Sequence, residues 1–453
     1  MTLRSRSLLG GLLVAGALAC HDSDTFHDYL HHTTLHEAYQ ASLEQAGLLG
    51  TALGRDWVAA SLYVLAEPAA IELPYRESGY LPADSAMALA YRFEARRGQR
   101  YMIVLDIEGS SDLRLFVDLF RAPRDSLDAP RHVASADSLT SGIEGEFHRD
   151  DNYLLRLQPE LLRGGRYTLT IDVDASLAFP VEGKDSRAIL SGFGASRDGG
   201  RREHHGVDIF APRGTPVLAA ASGRITRVRE AGLGGKVVWQ LDRDRGQYLY
   251  YAHLDSQAVV ARQVVELGDT VGFVGNSGNA RTTPPHLHFG IYRRGLGPID
   301  PWPFVHHPEA APQPIVADVS RVGRWARVNR DRTTIRDDAR SSAGQVLVAG
   351  RYTLMHVRAA VGDWYRVALP DGMVGYVPAG EVETVEDAVG QRLVKDGEPV
   401  LQQPTRESPR VAVTDGDTVA SVFGSFGDYE FVRLDGPVAG WVGGLDQQEG
   451  VAR

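Results

Sequence analysis

The sequence predicts a mainly β, multidomain protein, and three observations carry this prediction. The chain has 453 residues, whereas a single hydrophobic core stops growing at about 250 to 300 residues. Apolar residues stand at every second position in two stretches, Leu113 to Leu119 and Tyr167 to Val173, as they do in half-buried strands. A glycine-aromatic pattern that occurs twice near the C-terminus indicates two small units of short strands.

The first residues predict an exported protein. Arg4 and Arg6 precede an apolar run that ends at Ala19, which is too short to span a bilayer but has the length of a signal-peptide core. Cys20 follows directly and is the only cysteine of the sequence. Because Ala17-Leu18-Ala19-Cys20 resembles a bacterial lipobox, with alanine where leucine is usual, we predict a signal peptide over 1–19 and a lipid on Cys20. Ordinary cleavage after Ala19, which leaves an unmodified thiol, is the alternative.

Export and lipidation together predict a protein of the cell envelope, anchored to a membrane and facing the periplasm. Hydrophobic residues make up 43% and charged residues 23% of the sequence, which are values of ordinary globular domains. The formal net charge is -10 and the sequence has no basic stripe of the kind that neutralises phosphates. We therefore predict no nucleic-acid partner.

Residues 20–75 predict a helical segment, because Ala, Leu, Glu and His are frequent there while Gly and Pro are few. Four histidines form two pairs at the spacing of one helical turn, His27 with His31 and His32 with His36. Such pairs can bind a metal ion, but a solvated polar helix face is the interpretation that we favour. No function is assigned to them.

The remaining chain divides into a β-sandwich over 76–180, a block of short strands and glycine turns over 185–305, and the two repeated units. The stretch from Pro301 to Pro314 is rich in proline and is expected to be a linker. The block over 185–305 carries the residues that point to chemistry.

This block contains three histidine-rich motifs, which are His204-His205-Gly206-Val207-Asp208, Tyr251-Ala252-His253-Leu254 and Pro285-His286-Leu287-His288-Phe289. The apolar neighbours of His286 and His288 indicate a strand, whose period of two puts both imidazoles on one face and Leu287 in the core. His204 and Asp208 would be about 13 Å apart in an extended strand, so the chain must bend between them if both bind one ion. Gly206 permits such a bend.

Two histidines and one carboxylate form a three-ligand set that suits catalytic zinc, with the fourth position left for water or substrate. A closed structural site would need a fourth protein ligand, usually a thiolate, and the block has no cysteine. The combination favours an open, catalytic site. Gly275-Asn276-Ser277-Gly278 superficially matches a nucleophile elbow, but Asn279 stands where the last glycine is required, so a turn is predicted there.

Together the three motifs resemble the signature of the lysostaphin-like zinc metallopeptidases, the murein endopeptidase family, over about residues 187–303. The resemblance implies a lysostaphin-like β-sheet peptidase domain with one zinc ion bound by His204, Asp208 and His288. The chain departs from the family at Pro284, where glycine is usual, and this departure changes no ligand.

The resemblance also implies that His253 and His286 line the cleft as catalytic histidines that do not bind the metal. In the division of labour that we prefer, His253 takes a proton from the attacking water and passes it to the departing amine, while His286 donates to the oxyanion.

The flanking units carry weaker resemblances. The sandwich is similar to bacterial pre-peptidase domains. The repeat, in which Gly362-Asp363-Trp364-Tyr365 recurs 65 residues later as Gly427-Asp428-Tyr429-Glu430, resembles small bacterial Src-homology-3-like barrels, here over 318–386 and 387–449. That resemblance implies modules that bind or position the protein on the cell wall. The alternative is that the barrels only pack against the peptidase, with their aromatic residues in the core.

The predicted function is that of a zinc-dependent endopeptidase that hydrolyses the peptide cross-links of bacterial peptidoglycan. One alternative is a non-catalytic envelope scaffold or activator of another wall hydrolase with the same fold. Relatives of that kind usually lack one or more ligands, whereas all five positions are filled here. A second alternative is a peptidase that acts on other glycine-rich proteins.

Overall fold

The computed structural model describes residues 33–108, 114–125, 128–136, 142–308 and 310–443. Its architecture is mainly β and multidomain with a short N-terminal helical segment, which confirms the predicted fold class. The predicted signal peptide and Cys20 lie outside the described residues, as do His27, His31 and His32. Over the part of the chain that is described, no helix combines the length and apolar character needed to cross a membrane.

The N-terminal segment forms two helices, α1 (Leu35–Gln45) and α2 (Ala52–Ala66). Thr34 begins α1 with a capping box, in which its hydroxyl accepts from the Glu37 backbone and the Glu37 side chain accepts from the Thr34 backbone. Trp57 of α2 is 1% exposed, and its indole nitrogen donates to the carbonyl oxygen of Pro159 at 2.8 Å. The helices are thus fixed to the strands that follow them.

His36 contacts the interior, so the predicted solvated face is wrong for this residue. Its imidazole is buried, stacks on the Trp57 ring with 4.7 Å between centroids, and lies 2.6 Å from Gln158 Oε1. The amide nitrogen of Gln158 donates to the Trp57 carbonyl at 2.8 Å, so Gln158 Oε1 is left to accept from the imidazole. Burial, reinforced by the positive charge of Arg156, lowers the pKa of His36 to about 4.

Over the described residues between 69 and 175, nine strands form a sandwich of two layers, which are antiparallel apart from a short parallel pair, β1 with β3, at the edge of one layer. One layer has the order β1-β3-β8-β5-β6, and the other contains β2, β9, β4 and β7. Alternate residues such as Phe93, Val117, Ile103 and Leu169 fill the space between the layers. The strands are β1 (Ala69–Ala70), β2 (Tyr75–Leu81), β3 (Leu89–Ala95), β4 (Gln99–Glu108), β5 (Leu115–Arg121), β6 (Arg131–Ser135), β7 (Ile143–Glu146), β8 (Asp151–Pro159) and β9 (Gly165–Ala175).

The central unit is built on a sheet of eight strands with the order β10-β13-β21-β17-β16-β15-β19, to which β22 adds beside β21. Two smaller sheets, β11-β12 and β14-β20-β18, lie around it. The strands are β10 (Ile189–Ser191), β11 (Ser196–Arg197), β12 (Arg202–Glu203), β13 (Val207–Phe210), β14 (Pro216–Leu218), β15 (Gly223–Ala231), β16 (Gly235–Asp242), β17 (Gln247–Leu254), β18 (Ser256–Gln257), β19 (Val264–Val265), β20 (Thr270–Phe273), β21 (His286–Arg293) and β22 (Gly297–Ile299).

The predicted linker, Pro301 to Pro314, begins with a buried helix, so its first residues are not a linker. This helix is α3 (Trp302–Val305), and a proline is compatible with the first turn of a helix because that turn has unpaired N–H groups in any case. Phe304 is 2% exposed, and its ring covers Gly98 of the sandwich so closely that a Cβ there would collide with it. The apolar burial of Phe304 and Val305 explains why this segment is ordered.

The C-terminal repeat consists of two units with separate cores, over strands β23–β29 and β30–β35. The glycines that begin the repeat, Gly362 and Gly427, have φ of 57° and 55° and close two equivalent hairpins. A β-bulge also recurs at the same 65-residue offset, between Val357 and Ala359 and between Val422 and Gly424. The strands are β23 (Trp325–Val328), β24 (Arg332–Arg336), β25 (Gln345–Gly350), β26 (Leu354–Val361), β27 (Trp364–Ala368), β28 (Val374–Pro378), β29 (Val382–Thr384), β30 (Gly390–Val394), β31 (Pro399–Leu401), β32 (Arg410–Val413), β33 (Thr418–Phe426), β34 (Tyr429–Arg433) and β35 (Ala439–Gly443).

The first repeat unit and the sandwich share one sheet, because β26 pairs with β2. Next to this junction the fully buried carboxylate of Glu77 accepts from Arg366 Nη2 at 3.0 Å and from the hydroxyl of Tyr167 at 2.6 Å. The hydroxyls of Tyr75 and Tyr91 donate to the same carboxylate. A buried charge pair of this kind costs about 3 to 5 kcal/mol when one partner is removed, so it fixes the sandwich and the repeat unit to each other.

We expect His36 to make the stability of the helical segment depend on pH. The unfolded chain binds a proton at His36 near pH 6.5, whereas the folded chain binds one only near its lowered pKa of about 4, so stability falls as the pH falls through this window. At pH 4.5 the loss relative to pH 7.5 is about 2 to 3 kcal/mol. In urea unfolding followed by Trp fluorescence, the variant His36→Phe should show a pH dependence that is shallower by this amount. Equal pH dependence in both proteins would contradict the assignment.

Candidate metal centre

The pairing of β13 with β21 places Asp208 directly opposite His288. The alternate residues of both strands, among them Ile209 and Leu287, are fully buried in the core of the central unit. The predicted strand and its two faces are therefore confirmed for His286-Leu287-His288. On the other side of β21, Ala252 of β17 lies opposite His288.

His204 reaches this pair from a loop between β12 and β13. Its backbone is fixed to the preceding hairpin, since its N–H donates to the Ala195 carbonyl at 2.9 Å and its carbonyl accepts from Gly194 at 2.8 Å. Gly206 is required in this loop for space and not for an unusual φ, which corrects the predicted reason. A Cβ at Gly206 would collide with the carbonyl oxygen of Phe289 and would lie 2.8 Å from the His288 ring.

Three ligand atoms converge at one point above the sheet. His204 Nε2 lies 2.9 Å from Asp208 Oδ1 and 2.9 Å from His288 Nδ1, and the last two atoms are 3.1 Å apart. Four tetrahedral ligands at zinc bond lengths of about 2.0 to 2.1 Å would be about 3.3 Å apart. Among the residues that the structure describes, this is the group of histidine, cysteine and carboxylate side chains with metal-binding geometry. The donor set and its spacing fit a zinc ion.

The protonation pattern also fits a cation. His204 Nδ1 lies 2.7 Å from the carbonyl oxygen of Gly192, which can only accept, so the proton of a neutral His204 is on Nδ1 and Nε2 carries a lone pair. Burial raises the pKa of Asp208, but hydrogen bonds and charge from His204 and His288 outweigh that effect and keep the pKa well below its usual range. Burial lowers the pKa of His288. A carboxylate and neutral imidazoles are the forms that bind metals.

His253 lies beside the three converging atoms at the end of β17. Its ring is 5.8 Å from that of His288 between centroids, and its φ of 60° is in the left-handed region that few residues other than glycine adopt. Backbone hydrogen bonds to Gly234 and from Ser277 fix this conformation. Burial, and then the charges of His288 and His286, lower the pKa of His253 to about 4, so it is neutral at pH 7.

The Nδ1 atoms of His253 and His286 both donate to backbone carbonyls. His253 Nδ1 lies 2.9 Å from the Ser277 carbonyl oxygen, and His286 Nδ1 lies 2.9 Å from that of Pro284. In its neutral form, an imidazole with this hydrogen bond presents a bare Nε2. His286 Nε2 is 3.9 Å from Asp208 Oδ1, so both rings border the metal-binding group without belonging to it.

Ser277 is a structural residue and not a nucleophile, in agreement with the predicted turn. Its hydroxyl donates to the Leu254 carbonyl at 2.7 Å and accepts from the Lys236 backbone at 2.9 Å. The hydroxyl is thus occupied by two backbone groups, one from β17 and one from β16.

An aromatic wall continues from His288 across the same face of the sheet. Tyr250 contacts His288 edge-on at 5.8 Å between centroids, and Trp239 lies 4.5 Å from Tyr250 and 5.0 Å from Tyr292. These three residues were not singled out in the sequence, although their alternation along β16, β17 and β21 is visible there once the strand containing His288 is known.

Two further contacts at the site were missed by sequence reasoning. Arg197 of β11 donates to Asp208 Oδ2 at 2.8 Å, and the Gly192 carbonyl orients His204. A backbone carbonyl has no side-chain signature, and Arg197 is one of several arginines before the first histidine motif, so neither could be selected from the sequence.

The chain was compared with known proteins. Residues 202–301 match the family model described as "Peptidase family M23". The chain is 37% identical over 139 residues to the L-Ala--D-Glu endopeptidase of Bacillus subtilis, covering 28% of this chain and 42% of that protein. It is 41% identical over 101 residues to the DD-carboxypeptidase/endopeptidase Mpg of Neisseria meningitidis, covering 22% of each. The chain thus spans less than half the length of these relatives.

Among solved structures, the catalytic domain of lysostaphin from Staphylococcus simulans is 32% identical, with a TM-score of 0.23, and the match covers 25% of this chain and 88% of that domain. The matched residues include all three motifs, and so all three converging ligands and both neighbouring histidines. The chain therefore contains a domain of peptidase family M23, as the sequence motifs predicted.

Proposed function

We propose that the protein is a zinc-dependent endopeptidase that hydrolyses peptide cross-links of bacterial peptidoglycan. The observation that carries the proposal is the convergence of His204 Nε2, Asp208 Oδ1 and His288 Nδ1 within 3.1 Å, with two further imidazoles beside them. Three protein ligands leave the fourth position of a tetrahedral ion open, as catalytic zinc requires.

The substrate class is supported by the relatives. One is named for an L-Ala–D-Glu bond and another for a DD-peptidase activity. Bonds that involve D-amino acids are a property of peptidoglycan stem peptides and not of ordinary proteins. The bond cut by this chain is not specified by these names, because the matches cover less than half of each relative.

When bound, zinc would polarise the scissile carbonyl and lower the pKa of a water molecule in the open position to about 7. His253 is neutral at pH 7 and presents Nε2 toward the cleft, so it is the side chain that takes the proton of the attacking water and delivers it to the departing amine. The Ser277 carbonyl keeps the proton of neutral His253 on Nδ1 and so keeps Nε2 available.

His286 would donate to the oxyanion only as an imidazolium, because its Nδ1–H is already donated to Pro284. His286 Nε2 lies 3.9 Å from Asp208 Oδ1 and so faces the same centre as the ligand atoms. His253 and His286 would then divide the acid–base work in the way that the sequence analysis prefers.

We also propose that the protein is an exported lipoprotein anchored through Cys20 in the cell envelope, with its repeats acting as Src-homology-3-like wall-binding modules. The apolar run before Cys20 and its lipobox-like end support the anchor. A groove of about 400 Å³ between the two repeat units supports the second part. Trp325 of the first unit, which is 45% exposed, lines it opposite Phe431 and Trp441 of the second.

The assignment of ligands and catalytic histidines predicts two distinct classes of variant. His204→Ala, Asp208→Ala and His288→Ala should lose zinc, whereas His253→Gln and His286→Gln should keep one zinc per chain and lose about 10²- to 10⁴-fold in turnover. Zinc content by atomic absorption and hydrolysis of a cross-linked muropeptide measure the two properties. The adjacent exposed His205→Ala is the matched control and should retain both. Equal loss of zinc from both classes would refute the assignment.

Digestion of purified peptidoglycan tests the activity itself. The wild-type protein should release soluble muropeptides with new amino termini, a chelator should abolish the release, and added zinc should restore it. Mass spectrometry of the products identifies the bond. A protein that binds zinc but releases nothing would be the scaffold of the alternative hypothesis, and cleavage of a glycine-rich protein without muropeptide release would indicate the other alternative.

The proposed lipid anchor predicts retention of the protein in membranes, and the proposed wall-binding modules predict binding to peptidoglycan. In cells, the wild type should fractionate with membranes and Cys20→Ala with the soluble periplasm. In vitro, Trp325→Ala should sediment less with purified peptidoglycan than the wild type, while its hydrolysis of a soluble muropeptide is unchanged. Soluble wild-type protein would refute the anchor, and undiminished sedimentation of Trp325→Ala would refute the binding groove.

A further inference from the structure

The carboxylate of Asp208 has a different partner at each oxygen. Oδ1 faces His204 Nε2 and His288 Nδ1, whereas Oδ2 accepts from Arg197 Nη2 at 2.8 Å. The two oxygens are thus distinguished by their surroundings, and only Oδ1 points to the centre of the donor set.

Arg197 is itself fixed in position. Its Nη2 carries two hydrogens, and the second is donated to the hydroxyl of Ser191 at 2.6 Å. Ser191 belongs to β10, the neighbour of β13 in the central sheet, and Arg197 belongs to β11, which pairs with β12 just before His204. The guanidinium therefore bridges the sheet to the hairpin that carries His204.

The ion pair between Arg197 and Asp208 is partly buried. The side chain of Asp208 is 12% exposed and that of Arg197 is 31% exposed, so the pair is better shielded than an ordinary surface ion pair. The guanidinium occupies Oδ2 and fixes the plane of the carboxylate, so Oδ1 stays directed to the centre of the donor set. Partners of this kind orient metal ligands, and their loss typically weakens metal binding about 10- to 100-fold.

We propose that Arg197 is a positioning residue that keeps Asp208 a one-oxygen ligand and thereby preserves the open coordination position. Without it, Asp208 is free to rotate and to present both oxygens, which would fill the position that water or substrate needs. The inference rests on the proposed zinc function. It adds a role for a residue that the donor set and the catalytic histidines do not include.

The test uses the full-length protein and measures zinc affinity by competition with a chelator. Arg197→Met keeps the length of the side chain and removes its charge, and its dissociation constant for zinc should rise about 10- to 100-fold. Arg197→Lys restores the charge but not the paired donors and should recover part of the affinity. Arg100→Met is the matched control, since Arg100 forms an exposed ion pair with Glu144 at 3.0 Å in the sandwich, and its zinc affinity should equal that of the wild type.

Cobalt substitution gives a second readout that a merely structural contact would not change. Cobalt in the wild type should show the intense visible absorption of a four-coordinate ion, and in Arg197→Met the weaker absorption of a five-coordinate one, because the carboxylate then binds through both oxygens. Identical zinc affinity and identical cobalt spectra in wild type and Arg197→Met would overturn the inference. Loss of affinity that Arg197→Lys does not repair, with a matching fall in the melting temperature of the metal-free protein, would overturn it as well.

A different experimental result would refute the proposed function itself. A wild-type protein without affinity for zinc would refute both statements together. A wild type that binds zinc, together with an Arg197→Met variant that has the same affinity and the same cobalt spectrum, would refute only the role of Arg197.

Discussion

The antiparallel pairing of β13 with β21 is the constraint on which the site depends. It sets Asp208 opposite His288, and because side chains alternate between faces, it does so only in one register. A slip of β21 by one residue would turn His288 into the core and bring Leu287 to the surface. Since Ile209 and Leu287 are fully buried, the hydrophobic core fixes the positions of polar atoms that take no part in it.

The orientation of the imidazoles depends on the backbone. His204, His253 and His286 each donate Nδ1–H to a backbone carbonyl, so the position of that carbonyl sets the tautomer of each ring. Carbonyls in loops that are themselves fixed to strands are rigid partners, and they leave the Nε2 atoms directed into one cleft. The positive φ of His253 belongs to the same arrangement, because backbone conformations of this kind occur where the surrounding structure fixes them.

Sequence reasoning identified the features that depend on periodicity and residue type. The alternation of His286-Leu287-His288 predicted a strand and its two faces. The C-terminal repeat predicted two units of short strands, and in the structure these contain equivalent hairpins whose turns each hold a glycine of positive φ. The family of the central block followed from three motifs. These signals are local, and tertiary contacts reinforced them.

What sequence reasoning missed depends on contacts between distant parts of the chain. The burial of His36 requires Gln158, which lies 122 residues away, and no helical pattern reveals such a partner. The helix at Trp302–Val305 was hidden by its prolines, although Phe304 supplies the contact that orders it. Gly206 was singled out for the wrong reason, since the space it leaves becomes visible only when the ring of His288 is in place.

The sheet shared by β2 and β26 joins two segments that lie on either side of the M23 domain in the sequence. The domain is therefore an insertion between two segments that pair with each other in one sheet. Truncation after the domain would leave β2 with an unpaired edge and Glu77 without its guanidinium. The C-terminal repeats are thus part of the scaffold that carries the domain, and a shortened form would be prone to associate through the exposed strand.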